Sequence, residues 1–347
     1  MKMVIDIGKR AVGPGHPVYV IAEIGSNHDS DMEKAKELIR ACRYVGADAV
    51  KFQSFTAEGL LNQLMPDKNG RWVPHPAFPV IERLTMPVEW HRALMDFSLA
   101  TGITFLSAPF DSQRARLLND IGVEAFKIAS GDLTNEPLLR QVAAYKKPVI
   151  ISTGAAYLYE VKRAVDVMAQ EHNDDLALLH CASLYPPSYE DVNIRAMSTM
   201  KEEFGCPVGF SDHTPGSTVP VAAVALGASI IEKHITLDRK APGPDHAYAM
   251  EVEEFKGMVT EIRNLEKALG DGVKRPVPAE EGERVGARRS IYARVDIGKG
   301  EIISEDKLKI VRHAYGLEPR EFPNVIGRSA AANIARNMPL KKEDICA

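Results

Sequence analysis

The chain has 347 residues, 45% of them hydrophobic and 26% charged, and a formal net charge of -4 at pH 7. That balance excludes a disordered chain and offers no basic excess for nucleic acid or an anionic membrane, so the expected ligand is a small molecule. The opening MKMVIDIGKRAVGPGHP lacks the apolar run of a signal peptide, and no stretch reaches the roughly 20 apolar residues of a spanning helix, so the expected compartment is the cytoplasm.

Short β-rich runs recur along the chain at 19–24, 49–52, 104–106, 125–128, 149–151, 176–179, 208–210 and 229–231, and helical patterns separate them. After the first run, Ser30 with Glu33 three residues on reads as a capping box, followed by Ala35, Leu38, Ile39 and Cys42 on one face. Residues 54–85 break the rhythm with Pro66, Pro74, Pro76 and Pro79 among Trp72, His75 and Phe78. They read as a long loop above the second strand, either a functional lid or a surface insertion. The last helical pattern, 253–269, carries Phe255, Met258, Val259, Ile262, Leu265 and Leu269 and stops at Gly270.

Eight continuous apolar strands, each paired with an amphipathic helix, predict a closed parallel (β/α)8 TIM barrel, which takes about 250 residues. An open doubly wound sheet competes, but no GxGxxG turn follows the first run. The predicted domains are therefore a barrel over 1–270, a charged, Pro- and Gly-rich linker over 271–287, and a small β module over 288–347. Its pieces at 290–295, 308–311 and 331–334, with a turn at Gly298-Lys299-Gly300, make a module small for an independent core and expected to dock on something. Cys42, Cys181, Cys206 and Cys346 form no CxxC pair and read as buried hydrophobes or free thiols.

Barrel sites lie at the carboxyl ends of the strands. The polar residues there are Glu23; Lys51 and Gln53; Ser107; Lys127 and Ser130; Ser152 and Thr153; His180, Ser183 and Tyr185; Ser211, Asp212 and His213; Glu232 and His234. Two buried ammoniums, Lys51 and Lys127, predict an anionic ligand, unless each pairs with Glu23 or another barrel carboxylate. Ser130-Gly131 and Ser152-Thr153-Gly154 offer hydroxyls and amides to phosphate oxygens, although such pairs are also ordinary turns. His213 and His234, 21 residues apart, fit a two-imidazole divalent metal site with positions open to water and substrate, with Asp212 and Glu232 as orienting partners. His180, directly before Cys181, reads instead as a buried, satisfied histidine.

The phrases IAEIGSNHDSD, ADAVKFQ, FLSAPFD, FKIASGD, ISTGA, LLHCASLYP, VGFSDHT, IIEKHITLD and GPDHA span residues 20–246 in order. Together they resemble the N-acetylneuraminate (sialic acid) synthase family, which includes legionaminate, pseudaminate and spore-coat polysaccharide synthases. The tail, with RRSIYARVDIGKGEIISEDKL and IGRSAAANIARNMPLKKEDI, resembles that family's antifreeze-like (SAF, β-clip) domain. The resemblance implies metal-dependent condensation of phosphoenolpyruvate with the open-chain aldehyde of an N-acetylmannosamine-like amino sugar, giving a nine-carbon 2-keto acid and phosphate. It implies that Lys51, Lys127, Ser130, Ser152, Ser183 and Ser211 hold phosphoenolpyruvate, and that His213 and His234 bind manganese or magnesium. Glu23 would position or deprotonate the attacking water. Gln53, Tyr185 and Asp245 would face the sugar, joined by Arg312 from the antifreeze-like domain of a partner in a domain-swapped homodimer. The sequence departs from the family pattern at Ala108, Ser183 and His313, where Thr, Asn and Pro are usual. Competing readings are a Schiff-base aldolase using Lys51 or Lys127, a phosphoenolpyruvate-dependent sugar-phosphate synthase, and a non-catalytic carbohydrate-binding protein.

Overall fold

The structure is a computed structural model describing residues 1–346. Eight parallel strands run through it: β1 (Tyr19–Gly25), β2 (Ala49–Ser54), β3 (Thr104–Pro109), β4 (Phe126–Ile128), β5 (Val149–Ser152), β6 (Leu176–Cys181), β7 (Val208–Asp212) and β8 (Ile230–Thr236). Hydrogen bonds join them in the order β3-β2-β1-β8-β7-β6-β5-β4, and β3 lies against β4 without a ladder, so the sheet is a nearly closed barrel. Sequential neighbours all round, with the first strand beside the last, rule out the doubly wound alternative. Most strands run past the last apolar residue of their sequence pattern. Polar residues at the carboxyl ends keep their place in the ladder, some turned into the barrel and others, such as Ser107 and Asp212, turned outward.

The helices α1 (Met32–Tyr44), α2 (Val88–Thr101), α3 (Ser112–Ile121), α4 (Glu136–Ala144), α5 (Leu158–Gln170), α6 (Ala196–Phe204), α7 (Thr218–Ala225) and α8 (Val252–Leu269) form the outer layer. Helix α1 buries the expected Ala35, Leu38, Ile39 and Cys42, but its cap is Asp31, not Ser30. Asp31 accepts from the Glu33 and Lys34 amides at 2.8 and 3.1 Å, whereas Ser30 has a positive φ and spends its hydroxyl on the Arg83 carbonyl. Helix α8 buries Phe255, Met258, Val259 and Ile262, while Leu269 is exposed at its end. Residues 54–85 also differ from expectation. They hold a short helix at Ala57–Leu60, a hairpin of Leu64–Pro66 with Trp72–Pro74, and a helix at Phe78–Leu84, pieces too short for any period to show in the sequence.

Two apolar layers follow from the two-residue side-chain period of the strands. Outward residues pack under the helices, while Tyr19, Ile21, Ala49, Leu106, Ala125, Ile150, Ala177, Leu179 and Ile230 fill the lower barrel interior. The N-terminal hairpin of Ile5–Ile7 with Arg10–Val12 inserts Ile5, Ile7 and Val12 into that inner cluster and plugs the bottom. This unit spans Met1–Gly270 and the remainder of the chain forms a second compact unit. The second unit carries a short helix at Glu281–Gly286 and an antiparallel pair, β9 (Arg289–Ala293) with β10 (Leu308–Arg312). Its small core gathers Ile291, Ile303, Leu308, Val325 and Leu340. Among the described residues no helix is long and apolar enough to cross a membrane.

Candidate active site

Above the apolar plug, the same alternation turns one more residue per strand inward, and on most strands it is polar, with Ala108 on β3 and Cys181 on β6 the exceptions. Glu23 is registered between Lys51 on β2 and His234 on β8, and Ser211 lies beside Glu232. Lys51 Nζ is 2.8 Å from Glu23 Oε2 and 3.8 Å from Glu232 Oε2, while Lys127 Nζ is 3.7 Å from Glu232 Oε1. Lys127 donates to Ser152 Oγ at 2.6 Å and to the Ile128 carbonyl, Ser211 donates to Glu232 at 3.0 Å, and Gln53 donates to Glu23 at 2.8 Å. Glu23, Lys51, Glu232 and Lys127 thus form a buried chain of four ionisable groups, a quartet. The lysines already have counter-ions, so their burial alone does not demand an anionic ligand.

The quartet sets its own protonation. Burial pulls the Lys51 ammonium down, but Glu23 and Glu232 outweigh it and hold it above its usual value. Lys127 is held below its usual value by burial, reinforced by the Lys51 charge, despite Glu232. Burial would raise Glu232, yet the two lysines and the Ser211 hydroxyl keep its carboxyl below the usual range. Glu232 bonds Ser211 and pairs with the lysines, and no hydrogen bond joins it to His234. Asp212 points outward and pairs with Lys233.

His213 and His234 face each other with ring centroids 5.3 Å apart. Burial and the neighbouring His234 hold the His213 imidazole down to about 3, so it is neutral at pH 7. His213 Nδ1 lies 3.8 Å from Cys181 Sγ, and His234 Nδ1 is buried without a hydrogen-bond partner, as is Glu232 Oε2. The open nitrogen of His234, on the wall of the cavity, can accept a ligand or ion. Among the described residues no cluster of three or more His, Cys, Asp and Glu has metal-holding geometry. The neutral His213 imidazole and the open nitrogen of His234 suit a divalent ion whose other positions go to water and substrate.

Over this floor opens a cavity of about 800 Å³, whose lining includes Gln53, Ser130, Ser183, Tyr185, His234 and Asp245. Gly154 donates its amide to Ser130 Oγ at 3.0 Å, and a Cβ there would stand 2.0 Å from Ser183 Oγ, so only glycine leaves this hydroxyl cradle open. Gly25, at φ +56°, plays the same part on the other wall, since a Cβ there would stand 2.6 Å from Asp245 Oδ2. Asp245 accepts from the Ser26 amide and hydroxyl and from Tyr248 OH at 2.6 Å. Burial works against its charge, but His234 and these donors hold the carboxyl below the usual range. The next residue, His246, is wedged between Thr236 Oγ1 and Asp29, which pins the loop carrying Asp245.

Sequence reasoning missed Tyr248, whose ring lies 4.9 Å from His234 and 5.3 Å from Tyr185. It sits in a loop without periodicity, and its nearness to GPDHA was the available signal. Ser107, expected at the mouth, points outward instead, because Leu106 takes the inward position; it bonds Ser54, which bonds His91. His180 also points outward and is satisfied by the Val192 carbonyl at 2.8 Å. Cys42, Cys181 and Cys206 are buried free thiols. Arg312 is exposed at the end of β10 in the second unit.

A charged inner quartet, two facing imidazoles and a hydroxyl cradle thus lie under one open mouth at the carboxyl ends of the strands, where barrel enzymes carry their active sites. Residues 38–274 match the NeuB family and residues 288–345 the SAF domain. The chain is 41% identical over 346 residues to N,N'-diacetyllegionaminic acid synthase of Legionella pneumophila, covering 97% of each, and 38% identical to pseudaminic acid synthase of Campylobacter jejuni, covering 94% of this chain and 96% of that one. Among solved structures, the N-acetylneuraminic acid synthetase of Leptospira borgpetersenii in complex with citrate superimposes with a TM-score of 0.74 at 35% identity, covering 82% of this chain and 95% of that one. The chain belongs to the NeuB family and is an enzyme of the sialic-acid synthase type.

Proposed function

We propose that the chain condenses phosphoenolpyruvate with the open-chain aldehyde of a 2-acetamido sugar, yielding a nine-carbon 2-keto acid and phosphate. The observation that carries this reading is the single mouth shared by Ser130, Ser183, Gln53, Tyr185, His234 and Asp245 above the Lys51–Glu232–Lys127 floor. Lys51, Lys127, Ser130, Ser152, Ser183 and Ser211 take the carboxylate and phosphate, with Gly154 leaving room for the oxygens. Gln53, Tyr185 and Asp245 orient the sugar. The enol carbon bonds to the aldehyde carbon as the aldehyde oxygen takes up a proton, water adds to the electron-poor carbon that bears the phosphate, and the bond from that carbon to the phosphate oxygen then breaks as the new hydroxyl gives up its proton, leaving the ketone and inorganic phosphate. Glu23, aligned by Lys51 and Gln53, takes the proton of that water.

His213 and His234 are the residues that would hold a divalent ion, manganese or magnesium, which when bound supplies Lewis-acid polarisation of the sugar carbonyl. The open Nδ1 of His234 and the neutral state of His213 support that role. We also assign the chain to the cytoplasm and to a domain-swapped homodimer in which Arg312 of one subunit meets the sugar in the other; the exposure of Arg312 at a strand end is compatible with this.

The test is phosphate release from phosphoenolpyruvate against a panel comprising N-acetylmannosamine, 2,4-diacetamido hexoses, a sugar phosphate and neutral hexoses, with manganese and with chelator. Sugar-dependent, chelator-sensitive release is expected, and the sugar that supports it is the acceptor. No release with any sugar would sink the reading. Borohydride trapping of Lys127, the lysine held below its usual value, with a keto acid would favour the Schiff-base aldolase instead.

A further inference from the structure

We propose that Lys233 is a positioning residue that fixes His213 and His234 relative to each other; the proposal rests on the reading of those histidines as a divalent-metal pair. Asp212 on β7 and Lys233 on β8 are laddered neighbours, and the two-residue period turns both away from the barrel interior, so neither meets substrate. Lys233 Nζ donates to Asp212 Oδ2 and, at 2.6 Å, to the Thr214 carbonyl. Asp212 Oδ1 in turn accepts from the Thr214 amide at 3.0 Å and its hydroxyl at 2.9 Å.

One ammonium therefore holds the residue before His213 and the residue after it, while its own backbone leads directly into His234. The Lys233 and Asp212 side chains are 2% and 0% exposed. Stability alone is a poor reason for keeping them, because buried ion pairs are often replaced by apolar groups without loss. What the pair does supply is a fixed distance and orientation between two strand ends, each bearing one imidazole. Partners of this kind, behind the atoms that touch a metal, change metal affinity by about 10- to 100-fold.

The experiment is calorimetric titration of the full chain with manganese alone, alongside thermal melting. The variants are the double Asp212→Asn/Lys233→Met, which removes both charges together, and Thr214→Val, which keeps the side-chain shape and drops one donor. A folded double variant should bind manganese at least about tenfold more weakly, and Thr214→Val about three- to fivefold more weakly. Wild-type manganese affinity in the folded double variant overturns the positioning role and leaves the metal pair standing. If the double variant does not fold, Thr214→Val decides, with unchanged affinity overturning the proposal. A wild-type chain that takes up no manganese sinks the metal reading and this proposal with it.

Discussion

The two faces of the barrel wall carry polar clusters of opposite character. On the outer face, Ser54, Ser107 and His91 bond one another, and Asp212, Lys233 and Thr214 close a second network. On the inner face, Glu232 Oε2 and His234 Nδ1 are buried with hydrogen-bonding capacity unspent, beneath an open cavity. The same strands, offset by one residue, thus build a finished cluster on one side and an unfinished one on the other. A satisfied network specifies structure, whereas an unsatisfied one specifies what is to bind.

Substitutions on the two faces should separate along this line. His234→Ala should cut phosphate release by at least about 100-fold, down to the chelated level, while the melting temperature holds; near-wild-type turnover would abolish the metal assignment. Glu232→Gln removes the carboxylate shared by Lys51 and Lys127 and should cost about 3–5 kcal/mol in denaturant titrations as well as activity, since breaking a buried pair strands its charges. Gly154→Ala should raise the KM for phosphoenolpyruvate about tenfold and leave that for the sugar nearly unchanged, because the new methyl enters the Ser130–Ser183 cradle. On the outer face, Ser107→Ala should cost about 1 kcal/mol of stability with both kinetic constants intact, and a kinetic defect there would erase the distinction between the faces.

A further effect is one of pH. Burial between Phe52 and Trp90 holds the His28 imidazole down to about 4, against 6.5 when unfolded. The unfolded chain therefore takes up this proton first. The contribution of His28 is constant above about pH 6.5 and is lost as pH falls from there towards 4. His28→Asn should flatten that acid limb by up to about 1.4 kcal/mol per pH unit, read from denaturant midpoints across the range. An unchanged slope would mean that another group governs it.

Much of this is legible in the sequence. Apolar runs separated by helical periods specify the barrel, and the strand-end position of Glu23, Lys51, Lys127, His213 and His234 places them at the mouth. What the sequence could not give was the phase of each strand at its polar end. Ser107 and Ser211 look alike in the sequence, yet one faces the helices and the other the quartet, because the inward phase is set by Leu106 in the first case and by the register with Glu232 in the second. Likewise Glu232 could be assigned to the histidine beside it along the chain or to the lysines across the barrel, and only the three-dimensional distances decide. Tyr248 and the pieces within 54–85 stayed hidden because short aperiodic segments take their shape from their neighbours.

The hairpin plug of Ile5, Ile7 and Val12 makes the barrel a cup with one rim. On the proposed reading, two reactants would share that one opening, and the one that rests on the floor would enter before the one above it. An order of addition would then be a matter of plumbing, set by the filled lower barrel and its stopper, with no signal passed between sites.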